Sequence, residues 1–134
     1  MIKEVVDIMK GKKVFLIIVF IIFLYFIICF VSTRSIIDKM KNVVNGEEII
    51  QDTESLWYPF YLDKKYRKDV VEVEEHIQRI FTACSFDKGF MVVKYKILYF
   101  DISGEEVGNN CGYCKLYFER TDGEWELYDV WIMP

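Results

Sequence analysis

The chain has 134 residues, one domain's worth, with 17 basic and 21 acidic side chains and an apolar content of 53%. The charge is divided unevenly: Met1 to Arg34 holds five basic residues against two acidic ones and is net +3, whereas the remainder holds twelve against nineteen and is net −7. An acidic part of that size repels nucleic acid and anionic lipid headgroups, which leaves a protein of basic or neutral character as the partner class.

Residues 14–31 (VFLIIVFIIFLYFIICFV) are 18 consecutive uncharged positions, and Ser32 and Thr33 extend the run to 20. At about 1.5 Å per helical residue the run reaches about 30 Å, the thickness of a bilayer core. It is longer than a secretory apolar region, and Cys29-Phe30-Val31-Ser32 lacks a small-x-small cleavage site. A lipoprotein reading of Cys29 fails because Ile28 stands where a small residue is needed. The expectation is an uncleaved anchor, with membrane contact through Val14 to Thr33. Lys10, Lys12 and Lys13 precede the helix, while Arg34, Lys39 and Lys41 follow it. The short tail decides the orientation: residues 1–13 in the cytoplasm, 14–33 across the cell membrane, and 34–134 as a small extracytoplasmic domain.

Ser35-Ile36-Ile37-Asp38 reads as a capping box, followed by Ile36, Ile37, Met40, Val43 and Val44 at helical spacing and a stop at Asn45-Gly46. An acidic stretch from Glu47 leads to Leu56-Trp57-Tyr58-Pro59-Phe60-Tyr61, where Pro59 bars a regular helix interior. A helical turn and an aromatic loop are expected there, with the loop serving as a lid over a core. Residues 64–84 are expected to form an amphipathic helix capped by Asp63. Tyr66, Val70, Val73, Ile77, Ile80, Phe81 and Cys84 make its apolar stripe, and Lys68, Glu72, Glu75 and Arg79 its polar face. His76, the single histidine, falls beside that polar face as a solvated residue.

From Phe90 the period changes to two, with Met91, Val93, Tyr95, Ile97 and Tyr99 on one face and Lys94 and Lys96 on the other. Residues 103–112 read as a turn region. Two further strands, 115–121 and 124–132, meet across Asp122-Gly123, a strong hairpin signal. That register puts Leu116, Phe118 and Arg120 on one face with Trp125, Leu127, Asp129 and Trp131, and sets Glu119 opposite Glu126. The fold class is therefore α+β: a transmembrane helix, then one or two helices packed on a curved antiparallel sheet of about three strands.

The order of elements and the ending DGEWELYDVWI, with its Asp-Gly turn, tryptophan strand and aspartate, resemble the small cone-shaped family named after nuclear transport factor two, often grouped with cystatin-like folds. The resemblance covers roughly residues 35–134. Members behind one membrane helix include Gram-positive surface proteins and assembly components of conjugation and type IV secretion machines, so the resemblance implies a role in such an assembly.

Three chemistries compete. Cys111-Gly112-Tyr113-Cys114 has the spacing of a thiol–disulfide redox pair, but a strand comes directly after it, so the helix dipole that activates such a thiol is missing. A structural disulfide among Cys111, Cys114 and Cys84 is the plainer expectation for an exported domain. The cysteines supply no second pair at zinc-site spacing, so no metal and no cofactor are expected. An acid/base site would use Asp129 beside Arg120 in an apolar cleft, as a ligand-binding enzyme of the same fold requires. The reading that needs no missing residue is a non-enzymatic interaction module, held at the membrane, that docks a protein partner. Its interface candidates are Trp57, Tyr58, Phe60, Arg120, Trp125, Asp129 and Trp131. A small immunity-type protein would be built in the same way.

Overall fold

The computed structural model describes residues 1–62 and 67–133. In chain order these form helix α1 (Ile2–Ser32), helix α2 (Arg34–Val44), a 3-10 turn (Tyr58–Phe60), and strands β1 (Glu72–Cys84), β2 (Lys88–Phe100), β3 (Glu106–Thr121) and β4 (Glu124–Met133). The protein is α+β, and the chain divides into two compact units, Met1–Ser32 and Thr33–Pro134.

In the first unit, the helix is apolar around its whole circumference. Every residue of α1 except Cys29 is exposed, including Phe15, Ile18, Phe23 and Ile28. Apolar side chains left uncovered on all sides are what a lipid-facing helix requires, because the bilayer takes the place of a protein core. Among the described residues there is one helix long and apolar enough to cross a membrane, and it lies at the N-terminus.

In the second unit, α2 buries Ile36, Ile37, Met40, Val43 and Val44, the positions that the helical spacing selects. Its cap differs from the expected box. Thr33, not Ser35, occupies the N-cap, and its hydroxyl accepts a hydrogen bond from Arg79 Nη1 at 3.0 Å instead of capping its own helix. Asp38 pairs with Arg34 one turn away, at 3.9 Å.

The sheet is an antiparallel meander in the order β1-β2-β3-β4. Its inner face is built on β2 and β3: Met91, Val93, Ile97, Cys114, Leu116 and Phe118 have essentially no solvent exposure. Helix α2 contacts β1, β4 and the aromatic turn, and the turn meets β2 through Phe60 and Tyr95. Phe60, 1% exposed, meets Tyr95 edge-on at a centroid distance of 5.6 Å, and Trp57 meets Phe60 at 6.4 Å. The aromatic loop is thus a lid over the core.

The expected helix over residues 64–84 is replaced, from Glu72 onward, by strand β1; Asp63, Lys64, Lys65 and Tyr66 lie outside the described residues. Two features imitate a helix here. Val73 and Ile77 are four apart, a spacing that a strand's period of two and a helical turn both satisfy. A bulge then inserts Ile80 between Arg79 and Phe81, which shifts the parity by one residue. The supposed stripe therefore joins two faces: Val73, Ile77 and Cys84 inside, Ile80 and Phe81 outside. Glu72, Glu74, His76 and Gln78 of this edge strand point to solvent, while Glu75 and Arg79 are half-buried on the inner side. The sheet has four strands where about three were expected, and β3 begins at Glu106, so most of the expected turn over residues 103–112 is strand. The remaining turn is held by Asp101, whose Oδ1 accepts from Ser103 N, Ser103 Oγ and Glu105 N.

Gly89 lies in β2 between Cys84 of β1 and Phe118 of β3. A Cβ there would stand 2.6 Å from a Phe118 ring carbon and 2.7 Å from both the Ala83 carbonyl oxygen and Cys84 Cβ. Strand propensity alone would make Gly89→Ala favourable, but overpacking against backbone reverses the sign, and a loss of about 1–3 kcal/mol is expected. Denaturant unfolding of the detergent-solubilised chain, tracked by far-ultraviolet circular dichroism, measures it. An unchanged midpoint would mean that the β1–β2 register differs from this one.

Candidate functional site

The β3–β4 hairpin decides where the predicted site residues go. From the Asp122-Gly123 turn, Arg120 opposes Trp125, Glu119 opposes Glu126 and Phe118 opposes Leu127. A bulge between Tyr117 and Phe118 then pairs Tyr117 with Asp129, Leu116 with Val130 and Lys115 with Trp131. Tyr128 is the extra residue. The expected single face is therefore cut in two: Trp125 and Leu127 stay on the inner side, while Asp129 and Trp131 pass to the outer one. The acid/base pairing of Asp129 with Arg120 does not form, since the two stand on opposite faces.

The cysteines are similarly dispersed. Cys111 is exposed on the outer face opposite Lys96, and Cys114 is buried on the inner face opposite Val93. Three residues of strand separate their Cα atoms by about 10 Å, beyond the roughly 7 Å that a disulfide can bridge. Cys84 is aligned with Gly89, four residues along β2 from Val93, which sets it about 13 Å farther down the sheet. The register thus corrects the expected bridge: no pair among Cys84, Cys111 and Cys114 is within reach. Burial pushes the Cys114 thiol up to about 12, the reverse of an activated redox cysteine. Among the described residues, no group of three or more His, Cys, Asp or Glu side chains is placed to hold a metal ion.

Two surfaces remain. The first is the outer face of the sheet. One row of rings crosses all four strands, Phe81 to Phe90 at 5.8 Å, Phe90 to Tyr117 at 6.4 Å, and Tyr117 to Tyr128 at 6.1 Å. Lys115 Nζ lies 4.5 Å above Phe90 and 5.2 Å from Tyr117, and Trp131, opposite Lys115, is 56% exposed. Cross-strand pairs of this kind each stabilise a sheet by about 0.2–1 kcal/mol, so the row helps to hold the meander together while leaving apolar rings in solvent. The Glu119–Glu126 pair sits beside it, with Lys88 of β2 opposite Glu119 to offset the repulsion. Sequence reasoning missed Phe81, Phe90, Tyr117, Tyr128 and Lys115. The available signal was the aromatic residues at the nominally polar positions of β2 and β3.

The second surface is a cleft of about 410 Å³ between α2 and the start of β4. Ser35, Ile36 and Lys39 line it from the helix, Trp57 from the aromatic turn, and residues 124–127 from the strand. Lys39 is ion-paired with Glu48, and the β4 wall of the cleft carries Glu124 and Glu126, whose side chains turn to the outer side of the sheet. Trp125 is gripped on its ring by Arg120 at 4.5 Å and by the edge of Phe118 at 5.0 Å. Its Nε1–H is buried with no acceptor among the described residues, a cost of about 1–3 kcal/mol. The sequence-predicted set thus contributes Trp57 and Trp125 to the cleft and Arg120 to its back. Phe60 belongs to the core, Tyr58 is half-buried beside Tyr61, and Asp129 and Trp131 belong to the outer face.

Comparison with protein-family models, with curated proteins and with solved structures gives no match for this chain.

The two cysteines of the Cys-x-x-Cys should behave independently. At pH 8 iodoacetamide is expected to modify Cys111 at least about 100-fold faster than Cys114, as read by peptide mass spectrometry. A thiol held protonated contributes its stability below its ordinary value near 9 and loses it as pH rises towards 12. The chain should therefore destabilise between pH 9 and 12 more steeply than a Cys114→Ala variant, and equal slopes would mean that Cys114 is solvated.

Proposed function

We propose that this chain is a membrane-tethered, non-enzymatic interaction module whose acidic α+β unit lies outside the cytoplasm and docks a protein partner, as a component of a cell-envelope, secretion or conjugation assembly. The observation that carries the reading is the outer face of the sheet. Six aromatic side chains, Phe81, Phe90, Tyr113, Tyr117, Tyr128 and Trp131, stand on its solvent side, four of them in one row across the strands. Large apolar rings exposed together, with cations stacked on them, are characteristic of protein–protein surfaces rather than of ordinary solvated sheet faces. An enzyme of the same fold would draw on Asp129 with Arg120, or on Cys111 with Cys114. Both pairs are split between the two faces, which favours docking over turnover. The anchor adds effective concentration, since a tethered unit meets other membrane proteins within a thin shell above the bilayer.

Photo-crosslinking in growing cells tests the docking surface. p-Benzoylphenylalanine placed at Tyr113 or Trp131 is expected to give a discrete ultraviolet-dependent adduct, whereas the same probe at Ile102, 91% exposed in the β2–β3 loop, should give none. Adducts equal at all three positions, or absent from both face positions, would set the reading aside.

Orientation is read separately with a membrane-impermeant maleimide on intact cells. Cys111 should be labelled without prior reduction, because it is exposed and neither Cys84 nor Cys114 is within bridging reach. Labelling only after lysis would place the unit in the cytoplasm.

A further inference from the structure

Among the described residues, strand β4 has a sheet neighbour on one side only, and none of the residues in it is fully buried. The backbone groups along its free edge are a template for another strand. Beyond the bulge that template is interrupted, since the Val130 N–H is taken by the carboxylate of its neighbour Asp129 at 2.9 Å. Before the bulge, residues 124–127 run regularly, and they are the same four residues that wall the cleft beside α2. An edge strand and a helix therefore flank one hollow of about 410 Å³. The side chains on this stretch alternate strictly: Glu124 and Glu126 turn outward, Trp125 and Leu127 inward towards Ile36 and Trp57.

We propose that this groove takes an extended peptide segment of a partner protein as a fifth strand, with apolar side chains entering the cleft and lysines or arginines meeting Glu124 and Glu126. The proposal rests on the reading of the unit as an interaction module, and it does not depend on the outer face. Strand addition draws its affinity from main-chain hydrogen bonds and its selectivity from alternate side-chain pockets. Here the alternation on β4 specifies the alternation in the guest. The charge choice comes from Glu124 and Glu126 and from the −7 balance of residues 35–134, which repel an acidic segment. A second copy is a poorer occupant. Pairing β4 with β4 over residues 124–127 gathers four carboxylates at one junction.

The test uses the full chain in neutral detergent micelles and a fluorescein-labelled octapeptide of alternating lysine and valine, with binding read by anisotropy. Saturable binding is expected, at least about 10-fold weaker for the exposed double variant E124Q/E126Q. The periodicity of the backbone is the decisive reading. In a strand only alternate amides face the neighbour, so N-methylation of either the lysine amides or the valine amides should abolish binding while the other set is tolerated. Equal tolerance of both sets, or equal binding of a glutamate–valine octapeptide, would overturn the proposal. So would a dimer, seen by light scattering, that the peptide does not dissolve. Loss of peptide binding while adducts persist at Tyr113 and Trp131 would remove this proposal and leave the interaction module standing.

Discussion

An open sheet has two faces, and the described residues cover one of them. In the unit that holds the sheet, Thr33–Pro134, helix α2 contacts β1 and β4 on the inner side and one aromatic turn packs on β2 through Phe60 and Tyr95. Burial of Met91, Val93, Ile97, Leu116 and Phe118 is the interaction on which everything else depends, because each removes an apolar side chain from water at about 1.5–3 kcal/mol. Once that face is satisfied, the other is left in solvent whatever its residues are. The rings on the outer side are thus a consequence of topology and a resource for binding.

Bulges then sort the chemistry. Each inserts one residue and reverses the parity of the strand beyond it, at Ile80 in β1 and at Tyr128 in β4. In β1 the reversal moves Thr82 and Cys84 inside. In β4 it sends Asp129 and Trp131 outward and leaves Trp125 with Arg120 behind. One bulge both dismantles the acid/base pairing and ends the regular part of the exposed edge at Leu127, which makes the cleft a short, bounded groove. Arg79 shows the same economy on the inner face. Half-buried, its guanidinium is destabilised by desolvation and supported by Asp38, and it donates to the Thr33 hydroxyl, fastening the start of α2 to the edge strand.

Helix α1, long and apolar enough to cross a membrane, obeys a different rule from the rest of the chain. In a bilayer, apolar residues need no periodicity, so α1 carries them around its whole surface, while α2 confines them to one stripe. The change from one pattern to the other at Thr33 coincides with the division of the chain into its two units.

Local signals were sufficient wherever a residue's neighbours in sequence determine its environment. The length of the apolar run gave a helix long and apolar enough to cross a membrane, the stripe in residues 36–44 gave α2, the alternation after Phe90 gave β2, and Asp122-Gly123 gave the hairpin together with the Arg120–Trp125, Glu119–Glu126 and Phe118–Leu127 pairs. Trp57 and Phe60 were legible as a lid for the same reason, since aromatics around a proline-bound turn have few places to go but inward. What tertiary structure alone decided was parity and partnership. Val73 and Ile77 satisfy helical and extended spacing alike, and only pairing with β2 selects the strand and sets its bulge at Ile80. Cys111 and Cys114 are three apart in sequence, yet only their place in a ladder puts them on opposite faces and out of bridging reach. The groove joins residues 35–39, Trp57 and residues 124–127, and no sequence window spans them. A bulge costs one unpaired residue locally and reassigns every side chain beyond it, so its position is set by what both strands must bury together.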